Sequence, residues 1–525
     1  MRDFHFPGRS AVFADNGICA TSHPLAAKTA IDILQRGGNA MDAAISGAIL
    51  LGLCEPQMTG IGGDCFVLFS PAGSDAVKAM NGSGCAPDGL TASALRDKGL
   101  NHVPELSADA VTVPGAIDAF CQLSEDWGKL GLEALLAPSI DYAQHGVPVA
   151  PRVALDWAGL TEKLHMSAQR DYLINGKPPS VGEKFYAPKQ VEVLRQIAAK
   201  GRDGFYSGDV AEDMVQSLHR LGGAHQLSDF DNQRAFYTDP ISGAYQGVDL
   251  VEHPPNGQGA TAILLLNILA QFDLAALAPF EATRTHIETE ATKLAYQARN
   301  AFIADPASTD QLDQMLSLEF AQKLAGEISL TSVRQAPSPI VEAVHKDTVY
   351  ITVVDQERMS VSLIYSIFHG FGSGLASDKY GILFQNRGAG FNLIPNHPNE
   401  LTGGARPMHT IIPGMLCEAG KPIMPFGVMG GQYQPTGHAR LISNILDFGL
   451  SPQDAIDAPR SFFDGGILKL ERGYRQNVVQ ELEDLGHAIS QEIEPIGGAQ
   501  AIRILKNGVL EGASDPRKDG CALGY

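Results

Sequence analysis

The sequence lacks the cysteine pattern of a disulfide framework or a zinc site. Its seven cysteines form no C-x-x-C pair and have no histidine at metal-ligand spacing; they stand at positions 19, 54, 65, 85, 121, 417 and 521. A dispersed, odd-numbered set is typical of reduced thiols in a cytosolic protein. The sequence therefore predicts neither a disulfide core nor a metal site.

Long hydrophobic runs are also missing. The longest apolar stretch, residues 43–54, is far shorter than the roughly 20 residues that span a bilayer. Residues 1–9 contain no apolar segment of the kind that a secretory signal needs. We therefore expect a soluble, cytoplasmic protein without a membrane partner.

Basic residues are outnumbered by acidic ones. The 525-residue chain has 39 Lys and Arg against 59 Asp and Glu, which gives a formal net charge of −20. Such a surface repels nucleic-acid backbones and anionic membranes, so neither is an expected partner. An anionic small substrate is not excluded, because one local arginine can outweigh the overall field.

Several common catalytic motifs are absent as well. The sequence has no G-x-S-x-G, no phosphate-binding P-loop and no H-E-x-x-H. The glycine-rich segment 60–64 is similar to a dinucleotide-binding loop, but it precedes a predicted strand and does not open a helix. No nucleotide or organic cofactor is expected.

Residue patterns predict helices in the first two thirds of the chain and mainly strands in the last third. A helix is predicted from about residue 24 to Gly37, where two glycines end it. Asn39 is predicted to cap a second, almost entirely apolar helix that extends to Leu53. Together these patterns indicate a mixed α/β fold in packed layers.

A threonine in the last third is the candidate nucleophile. Residues 348–354 and 360–367 predict a hairpin, and the pair Asp347-Thr348 stands at its start. A threonine hydroxyl needs a base, and the residue's own α-amine can serve once the chain is cut in front of it. The alternative is an ordinary strand threonine, which Thr352 illustrates and which these residues alone favour.

Glycine and polar clusters after this hairpin could complete a site for acyl transfer. That reaction needs an oxyanion hole, which adjacent glycine N–H groups can supply, and the segment 427–431 is predicted to form such a tight turn. The simpler readings are an ordinary glycine turn, a structural hydrogen-bonding role for His409 and a surface charge at Arg387. The other clusters are residues 371–374, 385–388 and 406–410.

In their order along the chain these pieces resemble the γ-glutamyltranspeptidase (glutathione hydrolase) family of N-terminal nucleophile (Ntn) hydrolases. The likeness runs nearly end to end and includes Thr348 at the start of a Thr-x-x-x-x-Val-Val-Asp strand. The other matching segments are residues 36–44, 56–63, 113–115, 430–431, 512–517 and 524–525.

The resemblance implies a four-layer αββα sandwich formed by two chains from one precursor. Self-cleavage between Asp347 and Thr348 would give a large subunit, residues 1–347, and a small subunit, residues 348–525. The two would together form one structural unit. A higher oligomeric state is left open.

The resemblance also implies roles for individual residues. Thr348 is the nucleophile with its own α-amine as base, Ser366 is an assisting hydroxyl, and Gly430 and Gly431 form the oxyanion hole. The acyl-enzyme passes its acyl group to water or to an acceptor amine. An α-amine with a pKa of about 8 is partly neutral at physiological pH, which suits a general base.

The departures from the family pattern lie in the donor pocket. Ser83 stands where the family has an arginine that clamps the substrate α-carboxylate, and Gly390 where it has the acid that holds the substrate amine. Losing both charged contacts should remove most of the preference for a γ-glutamyl group. We hypothesise that Arg387, helped by His409, binds a carboxylate on a different acyl donor. The predicted substrate-binding residues are Asn386, Arg387, His409 and Thr410.

The pattern looks like a divergent branch of the family that includes an oxamate amidohydrolase and acylase-like members. It predicts a self-processing amidohydrolase or acyltransferase whose donor is a small or acidic amide. One alternative is a genuine glutathione hydrolase (γ-glutamyltransferase) with an unconventional donor pocket. Another is an uncleaved, catalytically silent binding protein, because Val349-Tyr350 replace the usual Thr-His after the nucleophile.

Overall fold

The computed structural model describes residues 8–334 and 348–525, and two seven-stranded antiparallel sheets form its centre. In spatial order, the first sheet consists of Val12–Ala14, Leu510–Ser514, Gly498–Ile504, Lys421–Met429, Pro413–Glu418, Val248–Glu252 and Ile241–Tyr245. The second consists of Cys521–Gly524, Ile18–Thr21, Val349–Val354, Ser360–Ser366, Asp64–Ser70, Lys78–Gly82 and Phe236–Thr238. Shorter strands are Ser461–Asp464, Ile467–Leu470, Ile489–Gln491, Val147–Pro148 and Lys184–Phe185.

The remaining regular structure is helical. The α-helices are Pro24–Gln35, Ala40–Cys54, Ala92–Asp97, Ala116–Trp127, Leu132–His145, Pro151–Leu160, Met166–Tyr172, Pro188–Lys200, Asp203–Tyr206, Gly208–Arg220, Leu227–Asn232, Gly259–Leu269, Ala282–Phe302, Leu312–Leu316, Leu318–Ala325, Gln434–Leu446, Pro452–Asp457 and Gln476–Asp484. In the described part of the chain, none of them combines the length and apolar composition that a membrane crossing requires.

Helices cover the outer face of each sheet. Apolar residues of Ala40–Cys54 and Ala116–Trp127 pack against the second sheet, and those of Gly259–Leu269 and Gln434–Leu446 pack against the first. Between the sheets lies an apolar cluster of Phe66, Tyr350, Ile364, Ile411 and Met429. The layers therefore follow the order helix, sheet, sheet, helix, as predicted.

The apolar helix Ala40–Cys54 lies under the strand that carries Thr348 at its start. The N–H group of Asp42 donates to Asn39 Oδ1 at 3.0 Å, and the N–H group of Asn39 donates to Asp42 Oδ2 at 3.1 Å. This reciprocal cap satisfies two N–H groups that the first turn leaves without partners. The predicted cap and helix are confirmed, and nearly every residue of the helix is buried.

Both sheets combine strands from the two described parts of the chain. Val349–Val354 pairs with Ile18–Thr21 on one side and with Ser360–Ser366 on the other. In the first sheet, Pro413–Glu418 pairs with Val248–Glu252. The two parts thus share one core, while the division at residue 347 stays a prediction.

Candidate active site

Three neighbouring strands bring Thr348, Ser366 and Asp64 together. Val349 lies opposite Tyr365, and Ser366 lies opposite Asp64, so Thr348 falls beside Ser366 at the same edge of the sheet. The Thr348 hydroxyl donates to Ser366 Oγ at 3.4 Å, and Ser366 Oγ also accepts the N–H group of Phe368 at 2.9 Å. All three side chains are fully buried. The predicted nucleophile and assisting hydroxyl are therefore in contact.

Asp64 is a site residue that the sequence analysis missed. Its Oδ1 accepts hydrogen bonds from the N–H groups of Gly84 and Gly115, both at 3.0 Å, and from Gln385 Nε2 at 2.8 Å. Burial raises the pKa of Asp64 to about 6, and Arg387 acts in the opposite direction. A charged residue at the head of the otherwise apolar strand Asp64–Ser70 was the available signal.

Arg387 is fully buried and close enough to Asp64 for their charges to interact. Its Nη1 donates to Thr410 Oγ1 at 3.0 Å, and its guanidinium carbon lies 3.9 Å from the centroid of the Phe368 ring. Among the described residues, Nε and Nη2 of Arg387 have no hydrogen-bond partner. Burial lowers the pKa of Arg387 to about 9, opposed by the charge of Asp64, so the guanidinium is protonated at neutral pH.

His409 contacts Asp64. Its Nε2 lies 3.3 Å from Asp64 Oδ2, and its ring lies 4.7 Å from the ring of Phe66. Its backbone N–H group donates to the carbonyl of Asn256 at 2.7 Å. The structure therefore places His409 within the candidate site as a hydrogen-bonding neighbour of Asp64; contact with a donor stays a prediction.

Asn386 shapes the loop next to Arg387. Its Oδ1 accepts the N–H group of His369 at 3.1 Å, and its Nδ2 bonds to His369 Nδ1 at 2.8 Å. A cavity of about 180 Å³ lies against Phe368 and His369 and extends to Gly390. The amide of Asn386 thus positions this wall, and its predicted contact with substrate stays untested.

Gly390 and Ser83 differ in their surroundings. A Cβ on Gly390 would lie 2.9 Å from the Met408 carbonyl oxygen, so a larger side chain needs a shift of the backbone there. Ser83 Oγ donates to Asn81 Oδ1 at 2.6 Å and is buried in a polar network with Asn256. Neither position offers a charged group to a donor.

Gly430 and Gly431 connect the strand Lys421–Met429 to the helix Gln434–Leu446. Both have positive φ, +125° and +54°, and neither N–H group donates a hydrogen bond within the described part of the chain. The predicted turn over residues 427–431 is wrong in its first three residues, which belong to the strand. A Cβ on Gly427 would lie 2.3 Å from the Tyr350 ring, so this glycine makes room for an aromatic side chain.

Gln258, which was not predicted as a site residue, connects the segment that carries Thr410 to the Gly430-Gly431 turn. Its Nε2 donates to the Thr410 carbonyl at 2.6 Å and to the Gly431 carbonyl at 3.2 Å. Its Oε1 accepts from Arg299 Nη1 at 2.8 Å. The glycine turn is therefore held at a fixed place relative to the segment that carries Thr410.

A helix–sheet–sheet–helix sandwich with a buried threonine hydroxyl at the head of a central strand is the arrangement of an Ntn hydrolase. A model of the gamma-glutamyltranspeptidase family matches residues 26–525. The Glutathione hydrolase-like YwrD proenzyme of Bacillus subtilis is 36% identical, over 98% of this chain and 99% of its own. The Oxamate amidohydrolase proenzyme of Klebsiella pneumoniae subsp. pneumoniae is 33% identical, over 98% and 100%.

A solved structure shares this fold. A cephalosporin acylase from Bacillus halodurans superimposes with a TM-score of 0.93 and 37% sequence identity, covering 100% of this chain and 99% of that one. The chain therefore belongs to the gamma-glutamyltranspeptidase family.

These findings confirm the predicted family, the four-layer fold and the class of enzyme, a self-processing Ntn amidohydrolase. The roles of Thr348, Ser366, Gly430 and Gly431 stay predictions that the geometry accommodates. Asp347, the other side of the predicted cut, lies outside the described residues.

Proposed function

We propose that this protein cuts itself before Thr348 and then hydrolyses small amides whose acyl part carries a carboxylate. The observation that carries this donor class is the buried guanidinium of Arg387, with Nε and Nη2 unpartnered among the described residues. Buried N–H groups of a charged side chain are costly when they lack acceptors. A ligand that supplies acceptors to Nε and Nη2 therefore gains affinity.

The proposed reaction begins with the cut between Asp347 and Thr348. The new α-amine of Thr348 takes the proton from its own Oγ, which attacks the carbonyl carbon of the donor amide. Ser366, 3.4 Å away, accepts a hydrogen bond from that hydroxyl beforehand and orients it. The N–H groups of Gly430 and Gly431 stabilise the negative charge on the tetrahedral oxygen. The protonated α-amine gives its proton to the departing amine as the C–N bond breaks, which leaves the acyl group as an ester on Thr348 Oγ. Water then attacks this ester, which releases the acid and restores the hydroxyl.

The geometry of Arg387 favours a carboxylate. Thr410 holds Nη1, which leaves the edge formed by Nε and Nη2 for a ligand. Two parallel N–H groups on one edge match the two oxygens of a carboxylate in a bidentate pair. The Phe368 ring fixes the plane of this edge. A donor carboxylate would therefore be bound with a defined orientation.

The surroundings disfavour a γ-glutamyl donor. An α-ammonium on the donor would lie close to the Arg387 cation, while Gly390, at the position of the family's acid, offers it no charge. A small amide whose acyl part carries a carboxylate and no ammonium avoids this repulsion.

The test compares three p-nitroanilides that differ by one group each: γ-glutamyl, glutaryl (no ammonium) and pentanoyl (no ammonium and no carboxylate). We expect glutaryl to give the highest kcat/KM. Arg387→Met should lower kcat/KM for glutaryl by about 10- to 100-fold and leave pentanoyl unchanged, because a charged hydrogen bond is worth about 1.5–3 kcal/mol. Arg387→Lys should recover only part of the loss, since lysine cannot form the bidentate pair.

Arg406→Met is the matched control. Arg406 also lies over an aromatic ring, Phe236, but its guanidinium donates to the carbonyls of Ser83 and Arg234. Its loss should not distinguish glutaryl from pentanoyl. An unchanged kcat/KM for glutaryl in Arg387→Met contradicts the donor assignment, and fastest turnover of γ-glutamyl supports a genuine glutathione hydrolase instead.

We further propose a large subunit of residues 1–347 and a small subunit of residues 348–525. The two would stay associated, because both sheets contain strands from each of them.

We also propose a cytoplasmic location, because all seven dispersed cysteines are free thiols. Fractionation of the native host, with a cytosolic marker, checks the location.

A further inference from the structure

A second buried cluster, outside the candidate active site, brings two histidines and a glutamate together. His286 and Glu290 lie one turn apart on the helix Ala282–Phe302, and His487 follows the helix Gln476–Asp484. One ligand atom from each of the three residues lies within 4.8 Å of the other two. His286 Nδ1 and His487 Nε2 are only 2.8 Å apart.

We propose that this cluster binds one divalent cation of the Zn²⁺ type. The ligands are His286 Nδ1, His487 Nε2 and one oxygen of Glu290, with water as the fourth. Two imidazoles and a carboxylate suit zinc and its first-row neighbours and disfavour Mg²⁺ and Ca²⁺, which take mainly oxygen ligands.

The groups around the cluster already orient these ligands. His286 Nε2 lies 2.7 Å from the Ser329 carbonyl oxygen, which can accept only if Nε2 carries the proton. The lone pair of His286 is then on Nδ1, facing His487. The N–H group of Arg334 donates to Glu290 Oε2 at 2.9 Å and holds the carboxylate. Such outer contacts are usual around metal ligands.

A cation fits with small movements. Zinc–ligand bonds of about 2.0–2.1 Å in a tetrahedron separate neighbouring ligand atoms by about 3.3 Å. The two ring nitrogens, 2.8 Å apart, would therefore separate by about half an ångström. The Glu290 oxygen already lies within 4.8 Å of both, so it would move by no more than about 1.5 Å. Lys293 Nζ, 2.6 Å from Glu290 Oε1, competes for that oxygen; its other contacts are the Arg334 carbonyl at 3.3 Å and the Phe463 ring at 4.5 Å.

The cation would join three parts of the chain. His286 and Glu290 belong to one helix, residues 329–334 are hydrogen-bonded to it, and the N–H group of Val333 donates to the Leu485 carbonyl at 3.0 Å, close to His487. If the chain is cut as proposed, the ligands come from both subunits. The metal site itself does not depend on the cut, because all three residues meet in the uncut chain.

The test is a titration of the metal-free full-length protein with Co²⁺, whose visible absorption reports tetrahedral coordination. We expect one Co²⁺ per chain, displaced by Zn²⁺, in the wild type and equally in the uncleaved Thr348→Ala precursor. His487→Asn and Glu290→Gln should each weaken binding by at least about 10-fold. Zn²⁺ should raise the Tm of the wild type and not that of His487→Asn.

His145→Asn is the matched control, because His145 forms an exposed pair with Asp141 at 2.9 Å that could bind metal adventitiously. It should bind Co²⁺ as the wild type does. No tetrahedral Co²⁺ signal in the wild type, or equal affinity in His487→Asn, overturns the proposal and leaves an ordinary hydrogen-bonded histidine pair. The uncleaved Thr348→Ala protein is titrated in parallel, so metal binding is measured without self-cleavage. Failure of one proposal is therefore distinguishable from failure of the other.

Discussion

Among single residues, we expect Asp64 to control how much positive charge the proposed donor pocket carries. Its carboxylate contacts His409 and opposes the charge of Arg387, and both side chains are fully buried. Charges interact strongly at such sites because little water screens them. A donor carboxylate that binds Arg387 therefore meets repulsion from Asp64 whenever Asp64 is ionised.

We therefore expect a pH-dependent KM for the carboxylate donor. Asp64 has a pKa of about 6, so it is neutral well below that pH and negative above it. The KM for glutaryl-p-nitroanilide should rise by about 10-fold as pH increases through 6, since one pKa unit of interaction corresponds to a factor of ten. Asp64→Asn keeps Oδ1 for its three donors but carries no charge, so its KM should be low at every pH.

The readout is KM and not kcat, because loss of the neutral α-amine lowers kcat at acid pH independently. Pentanoyl-p-nitroanilide is the internal control, and its KM should not change with pH in either protein. An identical pH profile for glutaryl in wild type and Asp64→Asn would show that Asp64 does not act on the donor.

Among structural elements, the Gly430-Gly431 turn has a backbone conformation that depends on glycine. Gly430 has φ +125°, which side chains with a Cβ rarely adopt, and an added Cβ would lie 3.0 Å from Gly497 Cα. We expect Gly430→Ala to move the turn and lower kcat by about 100-fold, as loss of one oxyanion donor does, with little change in KM.

Gly420→Ala is the control for the cost of positive φ alone. Gly420 lies in the turn between two strands of the same sheet with φ +82° and no atom near the added Cβ. It should lose some stability and keep its kcat. A folded Gly430→Ala protein with wild-type kcat would remove this turn from the mechanism.

The elements that the sequence predicted well have local causes. The helix Ala40–Cys54 is predicted by its Asn39 cap and its apolar composition. The hairpin of Val349–Val354 and Ser360–Ser366 is predicted by its β-branched and aromatic residues. Gly427 was misread as part of a turn because its reason, the Tyr350 ring of the facing sheet, lies 77 positions away in sequence.

For the whole molecule, the sequence could not show which distant side chains meet. Arg387 was a candidate from the family pattern, but its burial against Phe368 and its charge partner Asp64 depend on strand order. The His286–His487 contact spans 201 positions, so no local spacing indicated it and the sequence predicted no metal site. The family resemblance supplied the overall layers; the side-chain environment required the tertiary structure.

The shared sheets also decide how cleavage can be observed. Since each sheet contains strands from both described parts that are hydrogen-bonded to one another, fragments produced by a cut would stay together under native conditions. Separation then requires denaturation, so a native sizing column would not reveal the event.

Self-cleavage before Thr348 is therefore best tested by a denaturing gel with intact mass on the purified 55.8-kDa protein, on Thr348→Ala and on Thr352→Ala, aged side by side. Thr352 lies in the same strand, with its hydroxyl bonded to the Val361 carbonyl, and controls for loss of a strand threonine. We expect fragments of about 37 and 19 kDa, scaled from residues 1–347 and 348–525, in the wild type and in Thr352→Ala, and none in Thr348→Ala. A wild type that stays whole, or a Thr348→Ala protein that is cut at the same bond, would contradict the assignment of Thr348 as the nucleophile.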